Sequence, residues 1–226
     1  MAYPVRLVLS ATAIWCLLST SAAAQDERRL FIGALFGVSA LSADARAVTS
    51  PPDASVSLYD PGNGPAFNAF VGLHLSDFVS LQANYIWNRN DLTLVSSQQG
   101  GLRGGAYEQQ RTSTQHAAVA DALVYFRNRH SRIRPYLGTG LAVVRFSSTE
   151  VGVRSSGLNP PEPAFSSTRL ALRSHVGIDV AIAPRVSLRY SFSETISGNP
   201  ISPRLAPPGT RALMNFQNLF GLLARF

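Results

Sequence analysis

The chain has 226 residues, 46% of them hydrophobic, and its 20 basic and 13 acidic residues give a formal net charge of +7. No basic run with interleaved aromatic residues accompanies this charge, which argues against a nucleic-acid partner and favours attraction to anionic lipid headgroups. The single cysteine excludes an intrachain disulfide bond, and no run of 18 apolar residues predicts a transmembrane helix.

The N-terminal segment has the anatomy of a secretory signal peptide. One positive charge precedes an apolar run at residues 7–18, and the small residues 21–24 form a cleavage site. We therefore predict a cleaved signal peptide at residues 1–24 and a single exported domain at residues 25–226. Cys16 lies inside the apolar run rather than after a small residue, which disfavours a lipoprotein anchor.

Eight later stretches carry the period-two alternation of apolar and polar side chains that is typical of β-strands. In chain order they cover residues 30–38, 66–75, 78–88, 112–126, 133–144, 168–182, 186–193 and 212–226. The first alternates poorly and the fourth has alanine on both faces, so their inward faces stay open. For the fourth we place Ala118 outward, because this turns Asp121 inward.

The connections between these strands alternate between long and short. Long polar segments rich in Gly and Pro cover residues 39–64, 89–111, 145–167 and 194–211, and short turns cover residues 76–77, 127–132 and 183–185. All short turns then lie at one rim of the sheet and all long loops at the other, as in outer-membrane barrels. Aromatic side chains expected at the two membrane interfaces are Tyr85, Trp87, Phe126 and Tyr190.

The last strand ends in a terminal Phe on an apolar face made of Phe220, Leu222, Ala224 and Phe226. This ending resembles the C-terminal assembly signal of outer-membrane β-barrels, from which it departs at Asn218 and in the small Ala224. With its strand rhythm, the chain resembles the small outer-membrane protein β-barrel family of OmpA/OmpX-like form. The resemblance implies an all-β, eight-stranded antiparallel up-and-down transmembrane barrel in the bacterial outer membrane. It also implies outer-membrane lipid and the barrel-insertion machinery as partners.

Polar residues on the inward faces predict a network that fills the lumen, because an eight-stranded barrel is just wide enough for its own side chains. Its predicted members are Asp121, Arg134, Arg169, Arg173, His175, Asp179, Arg189 and Arg225. The excess of arginine over aspartate leaves an anion-binding site as an alternative. Inward glycines are expected to leave local voids that water can enter: Gly72, Gly138, Gly140, Gly177 and Gly221.

No catalytic, cofactor or metal site is predicted. Ser174 and His175 form the adjacent Ser–His pair on a strand, but neighbouring strand residues point to opposite faces. His130 and Ser131 lie in a short turn, and the remaining histidines are isolated in sequence. We therefore expect a non-enzymatic protein without a cofactor.

The expected function is structural or adhesion-like, with a surface ligand bound through the long loops. Leu92, Leu94 and Val95 can extend the third strand above the membrane and offer an edge for strand addition. A narrow pore for small solutes is the alternative, and a lipid-directed enzyme is a distant third. A soluble lipocalin-like barrel is the rival fold, since alternation does not tell which face is inside.

Overall fold

The structure is a computed structural model, and it describes residues 29–42, 47–48, 55–98, 105–157, 162–204 and 211–226. The predicted signal peptide lies outside these residues, so its cleavage stays a prediction.

Ten strands and one 3₁₀ turn make up the described part of the chain. Their bounds are β1 Leu30–Ser42, β2 Ala47–Val48, β3 Ser55–Pro61, β4 Gly64–His74, β5 Val79–Gln98, β6 Gly105–Tyr125, β7 Ile133–Gly157, β8 Phe165–Ala183, β9 Val186–Gly198, the 3₁₀ turn Ser202–Arg204 and β10 Ala212–Arg225. No helix in these ranges is long and apolar enough to cross a membrane.

Eight of the described strands close into one antiparallel ring. The order is β1, β4, β5, β6, β7, β8, β9 and β10, and β10 pairs back onto β1 with Phe36 opposite Phe220. The amide of Phe226 donates to the carbonyl of Leu30 at 2.9 Å, so the pairing reaches the C-terminal residue. The predicted eight-stranded up-and-down barrel is confirmed.

One wall of the barrel is much taller than the other. Strands β5 to β8 have 19 to 25 residues, whereas β1, β4, β9 and β10 have 11 to 14. About 9–11 residues suffice for a tilted strand to cross a membrane, so the tall wall continues well beyond it. Much of the predicted loops at residues 89–111 and 145–167 is therefore strand, because Ser, Thr and Gln continue the ladder without the apolar face that marks a membrane strand. The added strand β3 pairs with the upper half of β5.

The barrel is apolar outside and polar inside. Large exposed side chains cover its exterior, among them Leu141 at 68% and Leu172 at 61% exposure, whereas Asp121 and Arg173 are buried. On β1, Ile32 is exposed and Phe31 is buried, which settles the open face of that strand. This arrangement is stable only if lipid surrounds the exterior, so the soluble lipocalin-like alternative is wrong.

Inward glycines face large rings rather than open space, contrary to the expected voids. A Cβ added to Gly72 would overlap the ring of Phe31, and one added to Gly138 would overlap His175. Similar close approaches join Gly177 to Tyr136 and Gly140 to Asp121. The lumen thus interleaves bare backbone with bulky groups from the opposing strands, which fills the narrow interior.

We expect an arginine on the outer face to be costly in the middle of the wall and tolerated at its rim. Leu137 and Ile133 share a strand, a face and similar exposures of 48% and 44%. Leu137→Arg should cost about 2–4 kcal/mol of unfolding free energy and Ile133→Arg about 0–1 kcal/mol. Reversible urea unfolding from lipid vesicles measures both. Equal costs would contradict a lipid-covered exterior.

A second expectation concerns the ring-filled lumen. Gly72→Ala should destabilise the barrel by about 1–3 kcal/mol, because the buried Phe31 ring must leave its rotamer to admit the methyl group. Gly198→Ala is the matched control, since an added Cβ there meets no atom within 4 Å. The same unfolding assay compares them, and a neutral Gly72→Ala would show that water rather than the ring occupies this space.

Candidate functional site

Arg189 lies at the centre of the lower lumen, and each of its three side-chain nitrogens donates a hydrogen bond. Arg189 Nε and Nη2 donate to the two carboxylate oxygens of Asp179 at 2.6 and 2.8 Å, a bidentate pair. Arg189 Nη1 donates to Gln82 Oε1 at 2.7 Å and Nη2 also donates to the hydroxyl of Tyr125 at 2.8 Å. The guanidinium carbon lies 4.8 Å from the ring centre of Phe70, so this cation spans the lumen from β9 to β4.

A second ion pair lies beside the first and is joined to it by amides. Arg173 Nη1 donates to Asp121 Oδ2 at 2.5 Å, and both side chains are almost wholly buried. Asn84 donates to the same carboxylate oxygen at 2.9 Å, and Gln82 donates to Asn84 at 2.6 Å. A continuous chain of charged and amide groups therefore links the two aspartates across β5, β6, β8 and β9.

Three further predicted arginines have different surroundings. Arg134 is buried, stacks 3.8 Å from the ring centre of Tyr125 and donates to the carbonyl of Asp77 at 3.1 Å. Arg225 is half-buried and donates to Ser187. Arg169 differs from the expectation, because it is exposed. Its position on β8 lies above Ala171, where the pairing with β9 ends and the lumen loses one wall.

The adjacent Ser174 and His175 are separated by the sheet, and the Nε2 atom of His74, the other buried histidine, has no hydrogen-bond partner among the described residues. Ser174 is exposed on the outer face, whereas His175 is buried inside with its Nε2 3.4 Å from Asp121 Oδ2. His74 Nδ1 shares a hydrogen bond of 2.6 Å with the hydroxyl of Ser80. Within the described ranges, no group of three or more His, Cys, Asp or Glu side chains is arranged to hold a metal ion.

The short turns are tied to each other at the lower rim. Arg129 Nε donates to the carboxylate of Asp77 at 2.8 Å, which joins the β4–β5 turn to the β6–β7 turn. This hydrogen bond lowers the pKa of Asp77 below its usual value.

A belt of neutral side chains crosses the upper lumen. Asn215 donates to Asn88 at 3.0 Å and to Gln115 at 3.1 Å, and the Ser39 hydroxyl lies within hydrogen-bonding distance of Asn215 Oδ1 at 2.9 Å and of Asn90 Oδ1 at 3.1 Å. These residues come from β1, β5, β6 and β10, which lie on different sides of the ring. The belt therefore bridges the lumen with uncharged hydrogen bonds.

We call this belt of neutral side chains the amide belt. Above it the lumen is closed by apolar side chains, here called the cap. The cap consists of Leu41, Leu92, Leu94, Tyr107, Phe146, Ile201 and Leu213, with the half-buried Phe165 packed against it. Ile201 comes from the described first part of the β9–β10 connection, residues 199–204, and its side chain packs inward at the barrel mouth. Burial raises the pKa of the Tyr107 hydroxyl, as its apolar surroundings require.

Arg111 binds the end of the β7–β8 connection, at Glu162 and Pro163, beside the cap. Its guanidinium donates to the hydroxyl of Ser148 at 2.8 Å and to the carbonyls of Glu162 and Pro163 at 2.6 and 2.9 Å. It also lies 5.4 Å from the ring centre of Phe165. Sequence reasoning placed Arg111 at the end of a loop and missed this role; the available signal was the alternation that continues upstream of Thr112.

The tall wall forms an open sheet above the membrane. Five strands take part, namely β3, β5, β6, β7 and β8, with the short β2 beside β3. The upper part of β5 is paired on both sides, with β3 and β6, so it is not the free edge that the sequence suggested. Among the described residues, one edge of this sheet is β8 above Ala171, because the pairing of β8 with β9 ends there.

The predicted interface aromatics and the assembly face all point outward. Tyr85 and Phe126 are 47% and 61% exposed, and Trp87 and Tyr190 are half-buried on the same exterior. Tyr190 donates to Asn218 at 2.9 Å. On β10, Phe220, Leu222 and Phe226 are more than half exposed, with the half-buried Ala224 between them.

Known proteins share this architecture. Among solved structures, the chain is similar to Neisserial surface protein A (14% identity, 87% of this chain and 97% of that chain covered, TM-score 0.53). It is also similar to the outer membrane protein OprG from Pseudomonas aeruginosa (11% identity, 89% and 99% covered, TM-score 0.52). At these identities the likeness concerns the fold alone. No curated protein sequence matches the chain.

The model of one protein family, the outer membrane protein beta-barrel domain, matches residues 10–218. This match covers most of the chain and agrees with the closed ring and the apolar exterior. The chain therefore belongs to the outer membrane β-barrel family, whose members lie in the bacterial outer membrane.

Proposed function

We propose that the protein is a non-enzymatic barrel with a filled lumen that presents a rigid sheet at the cell surface for adhesion-like contacts. The observation that carries this proposal is the tall wall of β5 to β8, which continues beyond the membrane with an apolar core of its own. Such a core costs chain length and conformational entropy that a membrane anchor alone does not need.

Three successive layers support a filled lumen. The lower layer holds the two arginine–aspartate pairs, the amide belt crosses above it, and the cap closes the upper mouth. A solute would have to break buried ion pairs, each costly to separate in a dry interior. This ordering favours a plug over the narrow-pore alternative.

The outer position of Ser174 and the inner position of His175 speak against a lipid-directed hydrolase. A hydrolase needs its nucleophile and base within hydrogen-bonding reach of each other, and the sheet separates these two side chains.

The free edge of β8 is the part of the sheet best suited to bind a partner. Ala181 donates its amide to the carbonyl of Arg132, which immediately precedes β7, so odd-numbered residues of β8 direct their backbone groups toward β7. Ser166 and Thr168 then direct theirs the other way, where β9 has ended. An extended polypeptide can pair with these groups by strand addition.

The apolar face of β10 supports a further proposed contact during assembly. Phe220, Leu222, Ala224 and Phe226 present one continuous outward face on the strand that closes the ring. We propose that the insertion machinery reads this strand before it pairs with β1.

If a partner binds by strand addition, removing a backbone amide at the edge of β8 should weaken the binding. Thr168→Pro removes one outward amide and should abolish binding of extended β-forming octapeptides on an array, whereas Thr168→Ala keeps the amide and should bind as wild type. Purified barrels in detergent are compared after gel mobility with and without boiling shows that each is folded. Undiminished binding by folded Thr168→Pro would remove β8 as the docking edge.

A filled lumen predicts that the folded monomer does not conduct ions. Planar-bilayer recording should show a closed baseline, because the arginine–aspartate pairs and the cap block the path at two heights. Stable, voltage-independent openings in most insertions would reject the plug and support the narrow pore instead.

A further inference from the structure

The outer face of the tall wall carries a row of cationic and aromatic side chains. Trp87 of β5 lies opposite His116 of β6, which lies opposite Arg145 of β7. Arg89 is the next outward residue of β5 above Trp87. His116 and both arginines are exposed, and we call these four residues the cationic row.

The cationic row lies at the height of lipid headgroups. Trp87 is eight residues above Val79, the first residue of β5. At roughly 2.5 Å of height per residue for a strand tilted by about 40°, this is about 20 Å above the lower rim, near the top of an apolar band about 25 Å tall. Arg89 and Arg145 then lie where the phosphates of the outer leaflet begin.

The row has internal order. The hydroxyl of Tyr85, one outward position below Trp87, shares a hydrogen bond of 2.7 Å with His116 Nδ1. Directly opposite residues in an antiparallel pair have Cβ atoms about 4.5–5.5 Å apart, so Arg145 lies beside His116 and can reach the same anion. Neither arginine forms a salt bridge with another described residue.

A shallow groove descends from this row into the apolar band. Its floor is the alanine stripe of β6, made of Ala118, Ala120 and Ala122, all exposed. Larger side chains on the neighbouring strands form its walls, namely Leu81 and Tyr85 on β5 and Leu141 and Val143 on β7. The β5 wall is interrupted by the exposed Ala83, which lies opposite Ala120. An apolar groove of this kind suits an acyl chain.

The opposite wall offers no such combination. At the corresponding height it presents Glu194 on β9 and Asn218 on β10, followed by Val38 and Phe67 on β1 and β4. The nearest acidic position above the row on β5 is Asp91, whose carboxylate accepts a hydrogen bond at 2.9 Å from Thr112, its direct partner on β6. Among these strand residues, the positive charge at headgroup height thus lies on one side of the barrel.

We propose that the cationic row and the alanine stripe form a binding site for one lipid of the outer leaflet that carries a phosphate monoester. Arg89, His116 and Arg145 donate to the phosphate, whose doubled negative charge and three oxygens suit several donors. Trp87 packs at the glycerol or sugar level, where its ring prefers to lie. One acyl chain occupies the groove over the alanine stripe, between its two apolar walls.

The tryptophan content of the chain makes this site directly observable. The chain has two tryptophans, Trp15 and Trp87. Trp15 lies in the predicted signal peptide, so a barrel refolded from residues 25–226 has Trp87 as its one tryptophan, and Trp87 lies in the proposed site. The barrel is reconstituted in phosphatidylcholine vesicles with increasing fractions of brominated phosphatidic acid, and quenching of Trp87 is compared with that by brominated phosphatidylcholine.

We expect phosphatidic acid to be preferred over phosphatidylcholine by at least tenfold at the Trp87 position. Arg89→Gln and Arg145→Gln should each lower this preference about fivefold, the attraction that one cation contributes at an anionic lipid surface. Arg154→Gln is the matched control, because Arg154 is an exposed cation on β7 above the row and should change nothing. Each variant is first checked for folding by its gel mobility with and without boiling.

The groove is tested separately. Ala120→Leu fills the floor with a side chain that lipid tolerates, so it should preserve folding and reduce the preference, while Ala34→Leu on the opposite wall should not. A preference that survives the double Arg89→Gln, Arg145→Gln change would overturn the proposal. Loss of the preference on addition of inorganic phosphate, with ionic strength held constant by chloride, would also overturn it, because the site would then take a free anion.

Discussion

The structure depends on one constraint: in lipid, every backbone amide and carbonyl must find a partner within the protein. The pairing of β10 with β1 meets it, since this pairing removes the last two free edges inside the membrane. Above the membrane water satisfies the backbone, and there the sheet opens again at β8. The sheet therefore has no free edge inside the membrane, and it has an edge above the membrane, where a partner can reach it.

Ring closure with eight strands also fixes the width of the lumen, and the side chains inside follow from that width. Arg189 pairs with Asp179, directly opposite it on β8, and Arg173 reaches past β7 to Asp121, so both aspartates have a buried cationic partner. Bare glycine backbone lies opposite the largest rings, as at Gly72 and Phe31. Paired charges and interleaved rings together make the interior a packed core in which polar and apolar side chains are mixed.

Sequence reasoning succeeded where a period-two pattern has an apolar face and failed where both faces are polar. Membrane strands can be recognised in the sequence because the residues that face lipid, at alternate positions, are apolar, as are Leu170 and Leu172. Above the membrane the outward residues need not be apolar. The upper part of β6 was therefore predicted as a loop, and the hydrogen bonds of Arg111 to the β7–β8 connection were not predicted. The expected glycine voids were wrong because a linear pattern does not show which ring from another strand fills a gap. Arg169 is exposed because β9 ends before it reaches the height of this residue. The end of β9 depends on the pairing of β8 with β9, which the sequence around Arg169 does not show.

The cap has a consequence for how the protein matures. Leu41 and Leu213 belong to the first and last strands of the ring, while Leu94, Tyr107 and Phe146 belong to its middle. These side chains can meet only after both ends of the chain have been joined, since contacts so distant in sequence form late. The complete cap therefore forms only when ring closure is complete. A barrel stalled with its seam open would expose this apolar cluster to water, to proteases and to any quality-control factor that recognises it.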